Sequence, residues 1–118
     1  MYYSRTIDRD HWQTFFSELS RTLSDKGVDI TILSEGEVGH HSTTWNVFGI
    51  TYDSHDQTIT VSCDDQEHVI ESPHMVRTEE SAAGVHAIEV TRIDSAREII
   101  EFLRPLGHCD TAHPPSVQ

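Results

Sequence analysis

Positive charge is scarce in this sequence. Its 118 residues include 8 lysines and arginines against 20 aspartates and glutamates, a formal net charge of −12 with neutral histidines, and Lys26 is the only lysine. Because affinity for phosphate backbones and anionic lipid rests on basic residues, we expect no direct binding to nucleic acid or to a membrane. Imitation of nucleic acid to capture a basic protein is a remoter alternative.

Cysteine pairs and long apolar runs are also missing. Cys63 and Cys109 lie far apart, and no apolar run approaches the roughly 18 residues of a membrane helix. The first residues lack a basic segment followed by an apolar one, so we expect no signal peptide. A cytoplasmic protein with reduced thiols and no disulfide follows from these features.

The length indicates one domain, which we assign to residues 1–106, with a flexible tail at 107–118. An amphipathic helix near the N-terminus is its clearest element. Asp8 is a candidate N-cap and Gly27 a stop signal. The apolar face has helical spacing and consists of Trp12, Phe15, Phe16, Leu19 and Leu23.

After Gly27 the apolar period changes from 3.6 to 2, which predicts strands. Strands are expected at 28–33 and 45–53, the second with Phe48, Ile50 and Tyr52 on one side, and 34–44 is expected to be a loop. Residues 57–63 pair with 45–53 as a β-hairpin and direct Cys63 inward.

The stretch "HVIESPHMVRTEE", residues 68–80, reads as two strands separated by Pro73. We expect its histidines and glutamates to face solvent, as on a half-buried antiparallel sheet. A further strand follows at 85–93, where His86 is expected to be a partly buried structural residue. Local rules leave 94–106 open between a helix and the second strand of a hairpin, and periodicity alone slightly favours the helix.

Several short motifs together resemble a family of small bacterial cytoplasmic proteins catalogued as a domain of unknown function. They are W..FF...S from Trp12, W.V.GITYD from Trp45, HVI..P from His68, IEV from Ile88, and the closing DSAREIIEFLRPL. The resemblance covers about Trp12 to Leu106 and implies one helix on a largely antiparallel sheet. It favours the hairpin for 94–106, although Asp94-Ser95-Ala96 stands where such proteins have a tight Asp-Gly turn.

We therefore predict an α+β fold, with one N-terminal amphipathic helix packed on a largely antiparallel sheet of about six or seven short strands. The sequence has no G-x-S-x-G elbow, phosphate-binding glycine loop or C-x-x-C pair. No residue is predicted to be catalytic and no cofactor is predicted. His108, Cys109 and His113 have the donor types that zinc prefers and are the weak metal candidates.

The leading functional hypothesis is a small non-enzymatic interaction or regulatory module with a protein partner, which includes a homodimer. One helix covers only part of such a sheet, and Trp45 and Tyr52 are the candidate interaction residues. The alternative is a small-molecule or metal-binding protein with hydrolase-like activity that uses loop histidines.

Overall fold

The computed structural model describes residues 2–23, 28–36, 39–63 and 66–106. These residues form a short 3-10 turn at Arg9–His11, one α-helix and eight β-strands. The elements are β1 (Tyr3–Ile7), α1 (Trp12–Leu23), β2 (Val28–Gly36), β3 (Gly39–Asp53), β4 (Thr58–Cys63), β5 (Glu67–Glu71), β6 (Pro73–Ser81), β7 (Gly84–Arg92) and β8 (Arg97–Leu106).

All eight strands belong to one antiparallel sheet with the order β1-β6-β7-β8-β2-β3-β4-β5. The predicted class, one N-terminal helix on an antiparallel sheet, is confirmed. β5 and β6 are separated only by Ser72, yet β5 ends the sheet and β6 lies next to its opposite end. The sheet therefore curls. Ser72 joins its two ends, because its amide donates to the Gln57 carbonyl at 3.1 Å and its carbonyl accepts from the Ile93 amide at 2.9 Å.

The helix packs against β3 on the inner side of this curl. Trp12, Phe16, Leu19 and Leu23 are buried and Phe15 is half-buried, which confirms the predicted apolar face. The Ser20 hydroxyl fixes the contact, because it donates to the Ile50 carbonyl at 2.6 Å and accepts from the Ile50 amide at 2.9 Å.

The entry to the helix differs from the prediction. Asp8 makes no side-chain capping hydrogen bond. Its backbone carbonyl instead accepts from the His11 amide at 2.8 Å, within the short 3-10 turn. The Trp12 indole donates to the Ile7 carbonyl at 2.8 Å and so joins the helix to β1.

The predicted loop at 34–44 is wrong. β2 and β3 stay paired as far as Gly36 opposite Gly39, because backbone pairing requires no apolar alternation. Phe48 was also expected to lie on the same side of β3 as Ile50 and Tyr52, and this is wrong. A register shift between Val47 and Gly49 buries Val47 completely and leaves Phe48 36% exposed.

Residues 97–106 form β8, the second strand of a hairpin, as the family resemblance favoured, and the helix favoured by periodicity alone is wrong. The Asp94 carboxylate accepts from the Ala96 amide at 3.0 Å and stabilises the turn. Ser95 has a φ of 75° and occupies the left-handed conformation for which glycine was expected. The hairpin forms without glycine because these turn hydrogen bonds support that conformation.

Candidate interaction edge and its polar anchors

The residues proposed from the sequence lie in different places. Trp45 is in β3, opposite Ile30 of β2. Tyr52 is 9% exposed and packs edge-to-face on Trp12 at 5.2 Å between ring centroids. Its burial gives no support to a role in interaction, which stays a prediction. His108, Cys109 and His113 lie outside the described residues.

Two histidines make side-chain contacts in different parts of the sheet. His68 lies 2.5 Å from Glu98, and His86 lies 2.6 Å from the Ser81 hydroxyl. His86 is half-buried, in agreement with the structural role expected for it. Across 2–23, 28–36, 39–63 and 66–106, no three or more His, Cys, Asp or Glu side chains are grouped so that they could hold a metal ion.

Ser81 and His86 lie on either side of the turn between β6 and β7, at the end of β6 and near the start of β7. Ser81 is 6% exposed, and its oxygen accepts from the Ala83 amide at 3.1 Å inside that turn. Tyr2 stacks on His86 at 4.5 Å between ring centroids. The Ser81 contacts stabilise the turn, and the stacking places Tyr2, the residue before β1, next to His86.

Two glutamates are buried on the inner face of the sheet, and one of them, Glu80, was expected to face solvent. Glu80 is 2% exposed and Glu98 is 5% exposed. Residues 68–80 do form two strands, but the expected facing of their side chains is wrong at four positions. His68 and Glu80 point inward, and Val69 and Met75 are exposed. A register shift between Pro73 and Met75 accounts for part of this change of phase.

The first buried glutamate holds β1 against β6. Its carboxylate accepts from the Thr78 hydroxyl at 2.5 Å, from Arg5 Nε at 3.0 Å and from the Tyr3 hydroxyl at 3.3 Å. We call Tyr3, Arg5, Thr78 and Glu80 the Glu80 anchor. Arg5 is a β1 residue whose charge the anchor compensates.

The anchor keeps its carboxylate ionised. Burial raises the pKa of Glu80, but hydrogen bonds from Thr78, Arg5 and Tyr3 and the charge of Arg5 outweigh burial, so the pKa lies below its ordinary value. The pKa of Tyr3 is raised, first by desolvation and then by the charge and hydrogen bond of Glu80. A charged Glu80 therefore favours the protonated Tyr3 hydroxyl that donates to it.

The second buried glutamate closes the curled sheet. Glu98 of β8 contacts His68 of β5 at 2.5 Å and Arg92 of β7 at 3.6 Å. We call His68, Arg92 and Glu98 the Glu98 clasp. Four strand spacings separate β5 from β8 in the sheet order, so this contact joins strands that are not neighbours.

The free edge of β5 carries several features that discourage pairing. The exposed Glu67 and Glu71 lie at its two ends, and His68 points inward into the clasp. Ser72, which follows, has a φ of 53° and bonds to Gln57 and Ile93. Charged side chains, inward-pointing polar residues and bends are the devices that protect edge strands from added chains.

The free edge of β1 lacks most of these features. Its pairing with β6 runs without a register shift from Tyr3 opposite Glu80 to Ile7 opposite Val76. Its one charged residue is Arg5, which points inward to Glu80. The strand has no proline, lysine or glutamate, and its tyrosine, threonine and isoleucine favour extended backbone. Within the described part of the chain, no strand pairs with its other side. Tyr2, which precedes the strand, and Tyr3, its first residue, are 64% and 48% exposed.

The outer face next to this edge has a shallow groove. Register pairing sets Ser4 of β1, Glu79 of β6, Ala87 of β7 and Glu101 of β8 in one row across four strands. A cavity of about 150 Å³ lies along this row, and Ile99 also contributes to its lining. Glu79 and Glu101 are exposed, whereas the small side chains of Ser4 and Ala87 leave the space between them open.

One signal in the sequence could have located the Glu80 anchor. Val76, Thr78 and Glu80 share one strand phase, and the buried Val76 fixes that phase as inward. The partner arginine, by contrast, lies 75 residues away in the chain. Nothing local in the sequence pairs Arg5 with Glu80.

Fold and surface together define a small α+β protein with a curled antiparallel sheet and one unprotected edge strand. A family model matches residues 3–110, and the chain belongs to that family, DUF5335, a family of unknown function. No curated protein and no solved structure matches the chain. No helix in the described ranges has the length and apolar character needed to cross a membrane.

Proposed function

We propose that this protein is a non-enzymatic interaction module, cytoplasmic, that accepts an extended peptide strand on the free edge of β1. The observation that carries the proposal is the regular, five-residue β1, which bonds to β6 on one side and to no strand of the described chain on the other. Unpaired backbone groups of an edge strand are a template for strand addition.

The Glu80 anchor supports this role. By bonding Tyr3 and Arg5 to a buried carboxylate, it holds β1 in an extended conformation before any partner arrives. A preorganised strand loses less conformational entropy on binding than a loose one. The exposed rings of Tyr2 and Tyr3 add apolar contact area of the kind that is enriched at interfaces.

The partner is either another protein or a second copy of this chain. Pairing of β1 with the β1 of a second copy would give a two-fold symmetric homodimer with one continuous sheet. For the alternative, a metal-binding or hydrolase-like protein, the described residues offer no specific support.

The test is a selection of seven-residue peptides displayed on phage, followed by nuclear magnetic resonance mapping of the selected peptides on isotope-labelled protein. We expect the largest amide shifts at Tyr3–Ile7 and none at Glu67–Glu71. Native mass spectrometry of the same sample distinguishes a peptide complex from a homodimer. Selected peptides that leave the β1 amides unchanged would refute the proposal.

A further inference from the structure

We infer that the strand added to β1 carries a basic residue opposite Ser4, and that this residue pairs with Glu79. The inference rests on the proposed function, since it specifies the chemistry of the partner strand. It combines the register of β1, the small size of Ser4 and the charges of the outer face.

The register determines the face of the sheet on which the added residue lies. In an antiparallel pair, directly opposite residues lie on the same face of the sheet, so the residue opposite Ser4 lies on the outer face with Glu79. It is two strand spacings from Glu79, roughly 10 Å between backbones. Ser4 does not obstruct a side chain that extends over it, and the groove along the row leaves room for its head group.

The charges on the outer face of the sheet favour a basic residue on the added strand. Arg77 and Arg97 donate to Glu89 at 2.8 Å and 3.0 Å, so this carboxylate is already compensated. Neither Glu79 nor Glu101 has a basic partner among the described residues, and the chain as a whole carries a net charge of −12. A lysine or arginine on the added strand therefore complements the local and the overall charge.

A second copy of the chain does not supply this cation. The outer-face residues of β1 are Ser4 and Thr6, and Arg5 points to the opposite face, where Glu80 holds it. Self-pairing would place only Ser4 or Thr6 opposite Ser4. The charge pattern thus favours a different protein with a basic extended segment.

The test compares two synthetic seven-residue peptides of alternating threonine and valine. One has arginine at its central position and the other has the neutral, similarly shaped citrulline. Binding is followed by fluorescence anisotropy at low salt, with amide mapping at saturation. We expect the arginine peptide to bind about two- to fivefold more tightly, the range typical of exposed ion pairs.

The variant Glu79→Gln should bring this affinity ratio close to one. The control Glu71→Gln, which changes an exposed glutamate of β5 at the opposite end of the sheet, should leave the ratio unchanged. Equal binding of both peptides with shifts at Tyr3–Ile7 would overturn the inference and leave the proposed function intact. Peptides that fail to bind β1 at all would count against the proposed function itself. A homodimer that excludes the peptide would also overturn the inference.

Discussion

β1 and β5 end the same sheet and have the same length, but their free edges differ. β5 has glutamates at both ends and is followed by a bend at Ser72. β1 has a regular register and no glutamate, and it is exposed at its first residue, Tyr3, and at the preceding Tyr2. Of the two edges, only that of β1 is suited to an added strand.

Each of these strands also contacts a buried glutamate, and the strand that carries the glutamate determines the structural effect of the contact. Glu80 lies on β6, the neighbour of β1, so the Glu80 anchor reinforces an existing pair and leaves the other edge open. Glu98 lies on β8, which is not a neighbour of β5, so the Glu98 clasp holds the curled sheet closed. A buried glutamate therefore supports the open edge of β1 in one case and holds β5 in the closed sheet in the other.

The largest effect is expected from Glu80→Gln. The amide cannot accept all three hydrogen bonds as a carboxylate does, and it leaves Arg5 uncompensated, so we expect a loss of about 1.5–3 kcal/mol in the free energy of unfolding. Hydrogen exchange at Tyr3–Ile7 should accelerate more than at Glu67–Glu71. Denaturant unfolding checks the first result and exchange mass spectrometry the second.

Glu79→Gln is the matched control for this variant, because Glu79 is the adjacent residue and is exposed. Its stability should change by less than about 0.5 kcal/mol. If the two variants are equally stable, the Glu80 anchor does not hold β1.

A smaller loss is expected from Glu98→Gln. Neutralising Glu98 weakens the contacts to His68 and Arg92, and Arg92 already has a buried Nε without a hydrogen-bond partner among the described residues. We expect a loss of about 1–2 kcal/mol, measured by denaturant unfolding. Exchange should accelerate at Glu67–Glu71 and stay unchanged at Tyr3–Ile7, with the exposed Glu101→Gln as control. The opposite distribution would show that the clasp does not close the β5 edge.

The contribution of Glu80 should depend on pH. Its pKa in the folded state is lower than the ordinary value of 4.5, so its stabilising effect is complete above that value and is lost as the pH falls through the folded pKa. The difference in the free energy of unfolding between the wild type and Glu80→Gln should therefore shrink between pH 7 and acidic pH. Urea titrations at a series of pH values measure it, and a constant difference would mean that ionisation of Glu80 is unimportant.

The smallest effect is expected from Tyr3→Phe. The substitution removes the longest of the three hydrogen bonds to Glu80, at 3.3 Å, and keeps the exposed ring. Exchange at Tyr3–Ile7 should accelerate only slightly, and the peptide affinity should change less than in Glu80→Gln. If exchange at Tyr3–Ile7 accelerates as much as in Glu80→Gln, the hydrogen bond from Tyr3, rather than those from Arg5 and Thr78, is the main contact that holds β1.

The helix and most strands could be predicted because their apolar residues repeat with a clear period. Trp12, Phe16 and Ile59 show this period and are fully buried or nearly so. Prediction failed where the backbone departs from regular geometry. The register shift at Val47 reverses the phase of Phe48, and the bend at Ser72 precedes another shift in β6.

The candidate edge was harder to predict than the fold. Sequence gives no order of strands in a sheet, so it cannot show that β1 pairs with β6 and ends the sheet. The buried glutamates were missed for a related reason. Arg5, which compensates Glu80, lies 75 residues away in the chain, and His68, which contacts Glu98, lies 30 residues away. Burial of a charge is unexpected until such a partner is known.

The most direct test of the difference between the two edges is amide hydrogen exchange with and without a saturating amount of the arginine peptide. Slower exchange at Tyr3–Ile7, with no change at Glu67–Glu71, is the expected result, because an added strand would bond to β1 alone. Protection at Glu67–Glu71 instead, or at neither strand, would contradict the assignment of β1 as the interaction edge.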